Sequence, residues 1–325
     1  MPGFTTHYIF GMKAYNDMPF TPLKHTIAKY RWLYQLGLQG PDMFFYNIPI
    51  LRHRDYRNVG SYMHEHKVNA FFECCLRRIG TICSRQQQEE AISYLAGFMN
   101  HYIADSICHP YVYGRIGYQV DTPTSMHHGM HAHLENELDA ILLWKYKKKK
   151  PSEFNQTATI CLNGQEIQFI SHFLASCINE TYYPITYRNN FQVTPAMVHR
   201  SIWALRFGCR TLSDKTGKKK FGIAQVESIF VNHPVASAKM VTDSVTDYRS
   251  SCNLNHEAWG NPWDPTRVST ASFVDLFHET LDKCSRVYEL LNSAVTDNVP
   301  LDKQDLLPLL TELGNESYHS GLPVD

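Results

Sequence analysis

The stretch Asn100-His-Tyr-Ile-Ala-Asp105-Ser-Ile-Cys-His109-Pro110 decides how this chain is expected to fold. Its His101, Asp105 and His109 are four residues apart, and at about 100° per residue they fall on one side of a single helix. Apolar residues of the same segment project to that side, so the polar groups border a buried stripe. Burying them is costly unless they are paired. A divalent metal would pair them, and zinc accepts this ligand set. An internal Asp–His hydrogen bond is the alternative.

A second polar segment favours the metal. His131 and Glu135, also four residues apart, lie at the edge of the apolar stripe of a helix predicted for residues 126–144. The competing pair, His133 and Glu137, falls on the opposite face of that helix. We expect it to be an exposed pair that contributes little to stability.

Single residues elsewhere are candidates to complete the ligand shells. His64 follows Gly60 by four residues, and His66 is its rival on a different helical face. Asp42 ends a Gly-Pro-Asp turn, where it either contacts metal or stabilises its own loop. Asp139 is expected either to orient a liganding histidine or to be a surface charge.

Composition excludes several classes of protein. Of the 325 residues, 43% are hydrophobic and 19% are charged, so the chain can build a core and is not disordered. The 31 Lys and Arg residues balance the 31 Asp and Glu residues, so we do not expect the chain to bind nucleic acid. Nine cysteines without a Cys-x-x-Cys pair indicate reduced thiols.

The chain shows no targeting or spanning segment. No apolar run approaches the roughly 20 residues that cross a bilayer, and the first residues lack a signal peptide, so we expect a cytoplasmic protein. Two basic runs, Lys147–Lys150 and Lys215–Lys220, are expected to be solvated loops. The alternative is that the run Lys147–Lys150 makes a weak contact with an anionic membrane surface.

Helical periodicity dominates the remaining sequence. A Ser84-x-x-Gln87 capping box opens a helix that Pro110 is expected to end near His109. Other helices are predicted at residues 23–36, 68–82, 172–180, 195–212, 224–231, 273–295 and 303–313. Asn163-Gly164 predicts one small β-hairpin over residues 157–169. The predicted class is therefore all-α, one domain over residues 1–325, with a metal-site half (1–150) and a C-terminal helical half (151–325).

Five motifs occur in a fixed order along the first 140 residues: His7, Gly40-Pro41-Asp42, Gly60-x-x-x-His64, His101-x-x-x-Asp105-x-x-x-His109-Pro110 and His131-x-x-x-Glu135. Each is modest alone, and together they are specific. In this combination the chain resembles the zinc-dependent phospholipase C family, which is related in fold to zinc nucleases. It is most similar to the bacterial members that carry no signal peptide.

The resemblance implies a multi-helix fold around two zinc ions, and a third if His7 takes part. Carried over by position, the ligands fall into three sites: Asp42, His64, His101 and Asp105; His109, His131 and Glu135; and His7 with the chain's amino terminus and a bridging Asp105. The resemblance also gives Asp42 a catalytic role, which is to orient or deprotonate the attacking water.

The implied reaction is in-line attack of zinc-bound water on a phosphodiester, either a phospholipid or a soluble phosphoester. One alternative is a zinc-dependent nuclease or nucleotidase, which would need aromatic stacking surfaces and a basic approach groove. Another is a non-enzymatic helical protein whose metals are structural. Closed four-ligand sites would support that last alternative.

Overall fold

The computed structural model describes residues 3–46, 59–120, 124–188, 192–211, 214–219, 221–223, 225, 240–243 and 245–325. Within these ranges the α-helices are α1 (Phe4–Asp17), α2 (Pro22–Lys29), α3 (Arg31–Gly37), α4 (Val59–Glu65), α5 (Val68–Gly80), α6 (Arg85–Arg115), α7 (Thr124–Lys147), α8 (Gly164–Arg188), α9 (Pro195–Thr211), α10 (Tyr248–Ser251), α11 (Phe273–Thr296) and α12 (Leu307–Leu313). Short 3-10 helices occupy Gly40–Tyr46, Pro151–Glu153, Gln156–Thr159 and Leu301–Lys303. The two strands are β1 (Trp259–Asn261) and β2 (Asp264–Ser269). The all-α class with one small hairpin is confirmed.

Helix α6 is the central element of the fold. Its side chains are buried on every side from Glu90 to Val112, apart from the half-buried Ile107. A helix that is apolar around its whole circumference belongs inside the protein. Helices α1, α2, α3 and α11 pack against it. The polar residues that α6 carries at positions 101, 105 and 109 are therefore enclosed by other elements.

Helix α6 does not end where the sequence predicted. The expected stop at Pro110 is wrong, because the helix continues to Arg115 with Pro110 inside it. Proline removes one backbone hydrogen bond, to the carbonyl of Ser106. The burial of Tyr111 and Val112 outweighs that loss. The helix predicted over 23–36 is also divided, because α2 ends at Lys29 and α3 begins at Arg31.

The hairpin lies elsewhere than predicted. Residues 156–159 form a 3-10 helix and α8 begins at Gly164, so the hairpin predicted over 157–169 is wrong. Asn163 accepts a hydrogen bond from the Glu166 N–H, and Glu166 accepts one from the Asn163 N–H. This reciprocal capping box begins α8 and overrides the Asn-Gly turn preference. The observed hairpin pairs β1 with β2 in antiparallel register.

The remaining sequence predictions divide into tested and untested ones. The helix predicted at 224–231 lies outside the described residues, except for Gln225. The division into a metal-site half and a C-terminal half stays a prediction. Among the described residues, none of the helices combines the length and the apolar composition that crossing a bilayer requires.

Candidate metal centre

One side of α6 presents His101, Asp105 and His109, all completely buried. The Nδ1–H of His101 donates to the carbonyl oxygen of Leu38 (3.1 Å). The Nδ1–H of His109 donates to the carbonyl oxygen of Tyr318 (2.6 Å). A backbone carbonyl at Nδ1 fixes the tautomer and leaves Nε2 as a lone-pair donor, which is the usual arrangement around a metal-binding histidine.

Asp42, His64, His101 and Asp105 form what we term the buried group, whose potential ligand atoms all lie within 4.8 Å of one another. His101 Nε2 lies 3.2 Å from Asp105 Oδ2. His64 Nε2 lies 3.3 Å from Asp42 Oδ1 and 3.7 Å from Asp105 Oδ2. Atoms bonded to one zinc at about 2.0–2.1 Å in a tetrahedron lie roughly 3.3 Å apart. These spacings therefore suit a single ion.

Local structure explains how Asp42 and His64 reach α6. Gly40 has a φ of +47°, and a Cβ there would lie 2.2 Å from His101 Cδ2, so only glycine allows the turn to approach the imidazole. The His64 Nδ1–H donates to the Gly60 carbonyl (2.6 Å), which points Nε2 toward Asp42. The rival His66 is not part of the cluster.

His109, His131 and Glu135 form the rim group, and their potential ligand atoms also lie within 4.8 Å of one another. His131 Nε2 is 2.6 Å from Glu135 Oε1, and His109 Nε2 is 3.9 Å from the same oxygen. The side chains of His131 and Glu135 keep 14% and 13% of their surface exposed. The rim group therefore lies at the surface end of the centre.

Asp105 connects the two groups. Its Oδ2 lies 3.7 Å from His109 Nδ1 as well as 3.2 Å from His101 Nε2. Its Oδ1 lies 3.1 Å from His7 Nε2. His7 is buried on α1 and stacks on His101, with ring centroids 4.0 Å apart. The amino terminus, which the predicted third site also requires, lies outside the described residues.

Several buried polar atoms at this centre make no hydrogen bond to any described residue. They are Asp42 Oδ1, His64 Nε2, His101 Nε2, both carboxylate oxygens of Asp105, His109 Nε2 and both ring nitrogens of His7. Leaving such atoms unpaired is costly, and native proteins rarely do so. Imidazole nitrogens and carboxylate oxygens are the donor set of zinc. The residues present therefore fit zinc.

The pKa shifts differ among the candidate ligands. Burial would raise the pKa of Asp105, but the imidazoles of His109, His101 and His7 outweigh it and hold that pKa well below its usual range. Burial lowers the pKa of His109 to about 3. Burial also opposes a charge on His101, but the carboxylates of Asp105 and Asp42 prevail and raise its pKa. Asp105 is thus held ionised and His109 neutral, the protonation states that metal binding requires, whereas a metal at His101 has to displace a proton.

Comparison with known proteins agrees with this geometry. A family model described as zinc dependent phospholipase C matches residues 6–185, more than half of the chain. This chain belongs to that family. No curated protein and no solved structure matches it. Family membership and the buried His/Asp cluster together support a zinc hydrolase.

Two acidic residues of α7 differ from their sequence expectations. Glu137 is buried and accepts hydrogen bonds from the Thr246 N–H (2.6 Å) and the Ser251 hydroxyl, so its prediction as an exposed residue is wrong. His133, 57% exposed, is as exposed as expected. The error arose because the segment that covers this face of α7 is distant in sequence.

Asp139 is buried and is not a surface charge. Its oxygens accept hydrogen bonds from the backbone N–H groups of Thr5 (3.1 Å) and Thr6 (2.7 Å). It therefore caps α1, the helix that carries His7. Burial raises the pKa of Asp139 to about 6.

Sequence reasoning missed the C-terminal segment, which lies outside the family match. The Tyr318 N–H donates to the carbonyl of His64 (2.9 Å), and the Tyr318 carbonyl accepts from His109, so this residue contacts both groups. The His319 ring stacks on His64 with centroids 4.9 Å apart. At Gly321 a Cβ would lie 2.6 Å from the Ser106 carbonyl, beside the Pro110 turn of α6. No spacing or capping signal announces these contacts.

Proposed function

We propose that this protein is a zinc-dependent phosphodiester hydrolase of phospholipase C type. The supporting observation is the pair of adjacent ligand groups in contact through Asp105 and His109. Within them, Asp42 Oδ1, both carboxylate oxygens of Asp105 and the Nε2 atoms of His64, His101 and His109 are buried and make no hydrogen bond to a described residue. Two ions held this close suit an in-line displacement at phosphorus. When bound, zinc supplies Lewis acidity, which activates water and neutralises charge on phosphoryl oxygens.

The proposed ligands are those of the two groups. Asp42, His64, His101 and Asp105 would hold one zinc, and His109, His131 and Glu135 a second. His7, whose Nε2 lies 3.1 Å from Asp105 Oδ1, would take part in a third site with Asp105 as a bridge. Among the described residues the rim group offers three side chains, which would leave a coordination position open, the arrangement of catalytic rather than structural zinc. That difference favours an enzyme over a protein with structural metals.

Asp42 is the proposed catalytic residue. Its Oδ1 is buried and accepts no hydrogen bond from a described residue, and it lies 3.3 Å from His64 Nε2. A carboxylate so placed can accept a proton from the attacking water and fix its orientation. Gly40 contributes indirectly, because its positive φ sets the turn that delivers Asp42.

The substrate is proposed to enter over the rim group. The Tyr113 ring packs on His131 (4.6 Å between centroids) and on Trp263 of the hairpin (4.9 Å). Tyr113 and Trp263 are half-buried. They form an aromatic wall beside the rim ligands, which suits the acyl-bearing side of a phospholipid. A soluble phosphoester with an apolar substituent would fit the same wall.

The decisive experiment is a substrate screen on protein whose zinc content has been measured. Phosphatidylcholine, a chromogenic phosphodiester, nucleotides and a single-stranded oligonucleotide are compared for the wild type, Asp42→Asn and the control His133→Ala. We expect turnover of the phosphodiesters that falls by about 100-fold or more in Asp42→Asn and is unchanged in the control. Cleavage of the oligonucleotide alone would reassign the protein as a nuclease. No turnover at full zinc content would favour structural metals.

A further inference from the structure

Helix α9 presents two different faces. Val198, Ile202, Leu205 and Cys209 are buried along one side, which packs against the 3-10 helix that carries Asp42. The contact is close, because a Cβ on Gly208 would lie 2.6 Å from the Tyr46 ring. The outer side of α9 is therefore fixed relative to the proposed catalytic centre.

The outer face of α9 is aromatic and cationic. We define the α9 surface as Arg200, Trp203, Arg206, Phe207 and Arg210, which lie within one arc of about 120° that flanks the buried side. Arg206, nearest the buried side, is half-buried. Trp203 is 63% exposed and Phe207 is 54% exposed. Their rings stack with centroids 5.4 Å apart and an interplanar angle of 9°. An exposed Trp–Phe pair on the polar side of a surface helix is unusual for a face that only meets water.

Charge is concentrated around this surface. Residues 195–223 contain seven Lys and Arg but a single acidic residue, Asp214, in a chain whose overall charge is balanced. Asp214 is buried, so it does not offset the cations at the surface. Among the described residues, Arg200, Arg206 and Arg210 make no ion pair. The exposed Lys215, Lys218 and Phe221 extend the same composition beyond the helix.

We propose that the α9 surface docks the protein onto an anionic lipid surface. Cationic side chains near a membrane are attracted by anionic head groups, and Trp and Phe insert their rings at the boundary between head groups and acyl chains. The inference rests on the proposed phospholipid-cleaving function, since an enzyme of that kind works at a membrane surface. It assigns the contact to α9 rather than to the lysine run 147–150.

Two other occupants fit the observations less well. A nucleic acid would need a series of aromatic faces on which successive bases stack, but Trp203 and Phe207 form a single pair that covers one face of each ring. A second copy of the chain would bring the arginines of two equivalent surfaces together without acidic partners, which is repulsive. Anionic lipid complements both the charge and the apolar rings.

The test is sedimentation with vesicles of phosphatidylcholine, alone or mixed with phosphatidylglycerol, using the full zinc-loaded protein. We expect binding only to the mixed vesicles, weakening as salt rises. Replacing Arg200, Arg206 and Arg210 by Gln should lower the partition coefficient on the order of 100-fold. Trp203→Ala with Phe207→Ala should also release the protein, whereas Trp203→Phe should still bind. Tryptophan emission should shift to the blue on binding in the wild type, and much less in Trp203→Phe.

The matched control replaces Lys148, Lys149 and Lys150 by Gln, which removes the same charge from the other basic surface, and Trp144→Ala is the control for the aromatic pair. All variants must keep their zinc content, their melting temperature and their turnover of a soluble phosphodiester.

Wild-type protein that stays in solution with mixed vesicles would overturn the inference, as would equal losses of vesicle binding in the two charge variants. The inference would also be overturned if the protein did not bind vesicles but bound an oligonucleotide, or formed a dimer, and the α9 changes abolished that binding or that dimer. Turnover of soluble substrate without vesicle binding would remove this inference alone. Vesicle binding without turnover of any phosphodiester would instead remove the proposed function.

Discussion

The buried group and the rim group are built from the same kinds of side chain but differ in how the protein holds them. The buried group gathers ligands from a 3-10 helix, α4 and α6, and all of them are enclosed. The rim group takes its ligands from α6 and α7 only, and two of the three are partly exposed. The comparison teaches that one candidate metal position is enclosed by four buried side chains, while the other lies at the surface end of the centre, where the proposed substrate would enter.

The difference follows from where α6 lies. Its middle is surrounded by α1, α3 and the turn at Gly40, so His101 meets ligands from several directions. Toward its end, and within the described part of the chain, His109 meets α7 and the C-terminal segment. A four-ligand set satisfies zinc completely, whereas a three-ligand set leaves room for water or a phosphoryl oxygen.

Asp105→Asn should weaken metal binding in the buried group and in the rim group alike, because Asp105 contacts both groups. We expect zinc affinity to fall more than about 100-fold at both positions, because Asp105 is itself a proposed ligand. Changing a residue that merely orients a ligand usually has a smaller effect. Loss of the buried carboxylate should also lower the free energy of unfolding by about 3 kcal/mol. Metal analysis and chemical denaturation measure the two effects. Zinc retained at one position would show that Asp105 is not shared.

Glu135→Gln should separate the two groups. It removes one rim ligand and leaves the buried group intact, so one equivalent of zinc should be lost and one retained. Turnover of a phosphodiester should drop roughly 100-fold or more, because the accessible ion stabilises the developing charge. Titration with a chromophoric zinc chelator counts the remaining ion. Loss of both ions would contradict the independence of the groups.

A chain that ends at Glu316 should weaken the rim group more than the buried group, because Tyr318 orients the liganding ring of His109 but hydrogen-bonds the backbone of His64. It removes the Tyr318 carbonyl that orients His109, and changes of this kind typically lower metal affinity 10- to 100-fold. A chain that ends at Leu322 is the control, because it keeps Tyr318 and Gly321. We expect the control to bind zinc like the full chain. Equal affinities in both truncated chains would show that the segment does not position His109.

Glu137→Ala should show that the side of α7 that binds metal, which carries His131 and Glu135, does not include Glu137. It breaks the hydrogen bonds to Thr246 and Ser251, so stability should fall by about 2 kcal/mol while zinc content stays the same. His133→Ala, on the exposed side, should change neither quantity. Thermal melting with metal analysis distinguishes them. A loss of zinc in either variant would mean that the metal face is wider than we assign.

The sequence by itself determined the helical class and indicated which side chains converge. Spacings of four residues place His101 with Asp105 and His131 with Glu135 on single faces, because helical geometry is local. Resemblance to a family supplied the remaining ligands, Asp42 and His64. The one-residue difference at the end of α11, predicted at residue 295 and observed at Thr296, has the same local origin, since termini are set by a few neighbouring residues.

The tertiary structure alone decided the rest. Helix α6 passes through Pro110 because surrounding side chains bury its end, and Glu137 is enclosed by a segment more than one hundred residues away. Tyr318 reaches His109 from the far end of the chain. Contacts of this kind depend on how distant elements pack, and packing leaves no periodicity or cap in the sequence that could announce it.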